Sequence, residues 1–225
     1  MQYEIFGANL PAVTLRLDAG ESIYTQAGGM TWMTDGFTME TNMRGGLLKG
    51  LGRMLSGDSL FMATYSAMRQ GEEITLASTF PGTIIALPVG QASYVAQKSA
   101  FLCATPGVQL SIAFQRAKSG LFSGEGFILQ RISGDGLVFL ELDGTVVEKT
   151  LARGERIKVD SGNVAAYEDT VNMTAQTVKG FKNILFGGEG LFLTVLEGPG
   201  RVWLQTVNMQ GFAGRIAGYL PRRDD

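Results

Sequence analysis

"VTLRLDAGESIYTQAGGMTWMTDGFTMET", residues 13–41, is the stretch whose reading decides the fold. Val13, Leu15 and Leu17 fall on one side of an extended chain, and Thr14 and Arg16 fall on the other. That period of two marks a half-buried strand. Gly20 supplies a turn, and two further strand-like runs follow it. The same order returns as "TIIALPVGQASYVAQKSAFLCATPGVQLS" at residues 83–111, turning at Gly90. It returns again as "TVVEKTLARGERIKVDSGNVAAYEDTVNMT" at residues 145–174, turning at Gly154.

Each copy is followed by a second block: "SGDSLFMATYSA", "SGEGFILQRISGDG" and "GGEGLFLTVLEGPG". Their turn glycines, Gly57, Gly124 and Gly188, lie 67 and 64 residues apart and precede Asp58, Glu125 and Glu189. Internal repetition at a fixed step points to repeated supersecondary units. Elsewhere "EEITLAST", "VQLSIAF", "LVFLELDG", "RIKVDSG" and "RVWLQTVN" alternate in the same way, with turn residues every eight to twelve positions. The expectation is an all-β sandwich, barrel or prism without long helices. Three repeats, at about 12–80, 83–143 and 145–207, are expected to form one β domain across residues 1–225, and residues 218–225 a frayed polar tail.

Between the two blocks of each copy lies a joint: "RGGLLKGLGRMLSGDSLF" (44–61), "FQRAKSGLFSGEGF" (114–127) and "VKGFKNILFGGEGLF" (178–192). The first looks like a phosphate-binding loop. However, none of the three carries GxxxxGK[ST], the spacing that lets backbone amides and a lysine meet phosphates together. In the first joint Leu47, Leu48, Leu51 and Met54 share a helical face, with Lys49 and Arg53 on another. In the third, Phe181 stands between Lys179 and Lys182. These residues are candidates for a protein interface or an anionic membrane surface. Packing on the β core is the plainer reading, because the glycines of the first joint each cost an isolated helix about 1 kcal/mol relative to Ala.

Charge and composition exclude several classes of function. Net charge is −2, with 19 basic and 21 acidic residues, so nothing global attracts nucleic acid. The chain has no histidine, which removes Ser-His and Cys-His catalysis and imidazole metal sites. Its single cysteine, Cys103, permits no internal disulfide and sits in the apolar run "SAFLCATPG", where a buried inert thiol is expected. Asp58, Glu125 and Glu189 could bind a hard cation if the repeats gathered them. Acids at turn ends more commonly accept backbone N–H bonds, so no cofactor or metal is expected. Glu21, Asp35, Glu40, Asp135, Glu141 and Asp143 sit in no catalytic motif. Seven of the ten methionines lie between Met30 and Met68, as fillers of a core or an interface. "MQYEIFGANLP" has neither a basic nor a long apolar region, so a cytoplasmic protein is expected and the "NMT" at Asn172 is a chance sequon.

With the repeats laid out, the chain resembles a known family. The residues that carry the likeness are "AGESIYTQAGGMTWM", "LLKGLGRMLSGDSLF", "FLCATPGVQLS", "LARGERIKVDSGNVAAYEDTV" and "GGEGLFLTVLEGPGRVWLQ", spread over about residues 12–207. They are similar to bacterial relatives of the fungal "altered inheritance of mitochondria" protein in the TRAP-like superfamily. The resemblance implies three TRAP-like β units with pseudo-threefold symmetry, forming a β-prism or barrel-like body, and a homo-oligomer. It implies no reaction. Fold geometry and resemblance together suggest a trimer. The functional expectation is a non-catalytic oligomeric scaffold or interaction protein. The alternative is a peripheral membrane protein using its basic joints.

Overall fold

The computed structural model describes residues 1–26, 28–43, 61–115, 128–177 and 192–220. The protein is all-β, as its alternation predicts. β1 (Gln2–Phe6) precedes three runs of six strands. The first run is β2 (Ala12–Leu17), β3 (Ser22–Gln26), β4 (Trp32–Met33), β5 (Phe37–Met43), β6 (Phe61–Ala67) and β7 (Glu72–Ala77). The second is β8 (Gly82–Val89), β9 (Tyr94–Gln97), β10 (Phe101–Ala104), β11 (Val108–Gln115), β12 (Ile128–Gly134) and β13 (Gly136–Asp143). The third is β14 (Val146–Leu151), β15 (Arg156–Asp160), β16 (Val164–Glu168), β17 (Asn172–Thr177), β18 (Phe192–Glu197) and β19 (Gly200–Gln205). The predicted turn glycines Gly20, Gly90 and Gly154 all take positive φ, at 87°, 133° and 79°. Glycine tolerates that conformation at no steric cost.

Four open sheets result, ordered β1-β2-β7-β4, β5-β6-β3-β10-β13-β8, β11-β12-β9-β16-β19-β14 and β15-β18-β17. Within every run the first and third strands flank the sixth, and the second and fourth flank the fifth. The chain divides into two compact units. One holds the described residues of Met1–Gln91, Phe101–Gln109 and Gly134–Glu141, and with them the first two sheets. The other holds those of Ala92–Ala100, Leu110–Ser133 and Leu142–Asp225, with the last two sheets.

In the first unit Val13, Leu15 and Leu17 of β2 are fully buried, as their alternation predicts, against Ile74, Leu76, Leu102 and Phe139. Each buried leucine stabilises by roughly 1.5–3 kcal/mol relative to exposure. Cys103 is in this core, and burial pushes its thiol far above its ordinary value, so it is inert. The second unit packs Val95, Leu129, Leu151, Tyr167, Leu196 and Val202 together, with Ile157, Val159 and Met173 at the margin.

The structure adds detail to three expectations. Val108, Leu110 and Ile112 share a face by alternation, yet Val108 is buried and Ile112 is exposed. Among the described residues β11 is the edge strand of its sheet. Among the methionines, Met62 is buried and Met30 packs on the core, but Met33, Met39 and Met68 reach the surface. Sequence reading also missed a short helix, α1 (Met209–Ala217), capped where the Asn208 side chain accepts the Gly211 amide at 2.7 Å.

Candidate functional site

β15 is half buried by its period-two pattern. Ile157 and Val159 face the core of the second unit, so Arg156, Lys158 and Asp160 face the other way. Antiparallel register sets Lys158 abreast of Val195 on β18, and Val195 abreast of Thr174 on β17. It likewise aligns Arg156, Glu197 and Asn172. A cavity of about 400 Å³ opens on this face, lined by Arg156, Lys158, Thr174, Gln176 and Val195. Val195 is 5% exposed, so the cavity has an apolar wall beside its polar groups.

The two acids of this face are already engaged. Glu197 forms an ion pair with Arg156, its carboxylate 3.2 Å from Nε. Asp160 accepts the Gly162 amide at 3.1 Å, capping a 3-10 turn at Ser161–Asn163. Lys158 pairs with no acid among the described residues. The lining offers cationic and neutral donors but no nucleophile–base pair. Such a lining can recognise anionic oxygens.

Two other polar clusters are structural clamps. In the second unit, Glu168 accepts from the Arg201 amide at 2.9 Å and from its Nε at 2.7 Å, tying β16 to β19. The Glu168 carboxylate strengthens the hold of the Arg201 guanidinium on its proton. The same guanidinium lies 5.2 Å from the Trp203 ring centre, and Trp203 Nε1 donates to Glu148 at 2.9 Å. Every charge in this cluster has a partner within it.

In the first unit, Glu72 on β7 is 7% exposed and accepts from the Thr34 hydroxyl, the Gly36 amide at 3.1 Å and Arg69 Nε at 2.7 Å. The Thr34 bond outweighs burial, and with Arg69 and Gly36 it holds the Glu72 carboxyl below its ordinary value.

All the residues that sequence reading offered as sites lie outside the described residues: Asp58, Glu125 and Glu189, Leu47, Leu48, Lys49, Leu51, Arg53 and Met54, and Lys179, Phe181 and Lys182. Among the described residues no group of three metal-ligating side chains occurs. Three further acids are held by structure. Glu21 accepts from the Met1 amino group and the Asp18 amide. Glu141 accepts from Ser78 and Thr79, and Asp143 from the Met209 amide. The cavity on β15 went unread because "RIKVDSG" looked only like a strand. Its signal was two cations at i and i+2 on the outward face with no acid between them. No helix among the described residues is long and apolar enough to cross a membrane.

Residues 3–207 match the family model described as mitochondrial biogenesis AIM24. A relative described as an uncharacterized protein of Streptococcus pyogenes serotype M6 is 31% identical over 220 residues, covering 94% of this chain and 87% of the relative. The crystal structure of a Streptococcus pyogenes protein from a structural genomics consortium superposes with a TM-score of 0.79 at 28% identity. That likeness covers 97% of this chain and 99% of the other.

Proposed function

The chain belongs to the mitochondrial biogenesis AIM24 family, and from that premise we propose that it acts by binding, as a non-catalytic homo-oligomeric scaffold or interaction protein. The observation that carries this reading is edge strand β4, which ends its sheet among the described residues and presents Trp32 at 55% and Met33 at 36% exposure. A sheet edge is a template for another chain, and tryptophan is among the residue types enriched at interface hot spots. Three runs of six strands with one pairing order support three TRAP-like repeats and a prism-like body. A trimer is the assembly this reading favours, since closed symmetric oligomers are the common way to cover such edges. One free and buried thiol suits a cytoplasmic setting. Native mass spectrometry across a concentration series tests the proposal. A discrete oligomer is expected, and a monomer at every concentration would overturn it.

A second reading, association with an anionic membrane surface, draws on α1. Met209, Phe212 and Ile216 are exposed at helical spacing, followed by Tyr219 and Leu220. Co-flotation with anionic vesicles at low salt is the expected result there, and its absence would remove this reading.

A further inference from the structure

We propose that the outward face of the β15-β18-β17 sheet is a binding site for a small organic phosphate, a role separate from self-association. Lys158 is the key residue. It stands four positions after Gly154, where Tyr24 follows Gly20 and Tyr94 follows Gly90. Both tyrosines are 1% exposed. Tyr24 donates its hydroxyl to the Val108 carbonyl at 3.0 Å, and Tyr94 packs edge-on against Trp203 at 5.8 Å. The third run puts a cation at the matching position, on a face that remains open to solvent.

That cation has neighbours suited to phosphate. Arg156 has its Nε engaged by Glu197, which orients the guanidinium and leaves its terminal nitrogens as donors. Thr174 and Gln176 add a hydroxyl and an amide from β17, and Val195 offers an apolar wall for the carbon part of a ligand. Asp160 accepts the Gly162 amide, and Lys158 forms no ion pair among the described residues. A cavity of about 400 Å³ lies within the range of small-molecule sites and is larger than a bare phosphate needs. The shared chemistry is therefore a phosphomonoester on a short carbon skeleton, whether free or as a lipid headgroup.

Calorimetric titration of the full chain with glycerol phosphate, at matched ionic strength against chloride, tests this site. Saturable binding is expected, weakened roughly tenfold or more in Lys158→Met and in Thr174→Val, because each removes a donor to the anion. Lys158→Tyr, which installs the residue of the other two runs, serves if Lys158→Met fails to fold. Vesicles containing phosphatidic acid separate the two sources. If these bind the wild type but not the Lys158 variants while glycerol phosphate is silent, the phosphate belongs to a lipid headgroup. No binding of either probe, or binding indifferent to Lys158, overturns the proposal. Oligomer size measured on the same samples keeps this outcome distinct from that of the scaffold reading.

Discussion

Gly36 has no room for a side chain, because a β-carbon there would collide with the Glu72 carboxylate. Gly36→Ala is expected to destabilise by about 1–3 kcal/mol, as overpacking does, and urea unfolding would measure it. Pairing it with Glu72→Ala should relieve most of that loss. Glu72 also sets a pH dependence. Its folded carboxyl lies below the ordinary 4.5, held there first by the Thr34 hydroxyl. Its contribution is thus complete above 4.5 and lost as pH falls through the lower folded value. Thermal unfolding of Glu72→Gln should therefore show a shallower acid decline than the wild type. Neither residue announces this in the sequence, since Gly36 and Glu72 are 36 positions apart and meet only through the β4 to β7 pairing. Val13, Leu15 and Leu17 did announce themselves, because alternation on a strand is a local property.

At the scale of elements, strands with a covered face were legible and edges were not. Alternation reports which side of a strand is apolar, but the neighbour that covers it is set by long-range pairing. β11 carries the apolar pattern and still exposes Ile112, because it ends its sheet. α1 was obscured for another reason. Gly211 and Gly214 lower its helix propensity, while the signals for it are the Asn208 cap and the spacing of Met209, Phe212 and Ile216. The family match ends at residue 207, before this helix. Truncation after Asn208 is expected to leave the β units folded, with a melting temperature within a few degrees of the full chain. Differential scanning calorimetry checks this, and a collapse of the main transition would show that α1 holds the fold.

For the whole molecule, the self-comparison of the chain identifies which segments are alike, and not which of them pack together. The sheet β5-β6-β3-β10-β13-β8 takes three strands from the first run and three from the second. The compact units therefore do not coincide with the repeats, a pairing choice that no local pattern encodes. The candidate site was hidden similarly: "RIKVDSG" shows its cations, but only the register of β15, β18 and β17 assembles a cavity around them. At this scale Trp32→Ala is expected to shift the oligomer toward smaller species while the circular dichroism spectrum stays that of the wild type. Light scattering coupled to size exclusion would report the change, and an unaltered assembly would move the interface away from β4.

The chain crosses between its two units five times, so neither unit is a continuous stretch of sequence. During synthesis, β3 leaves the ribosome long before β10, which closes its edge, and β13, which extends the sheet beyond β10. The first unit cannot be completed until residue 141 has emerged, when the second unit has already been under way since residue 92. The nascent chain thus carries the β3 edge unpaired until β10 has been made. The two units also cannot be separated by one cut. A single cut anywhere in the chain leaves each fragment holding part of one unit whose remainder is in the other.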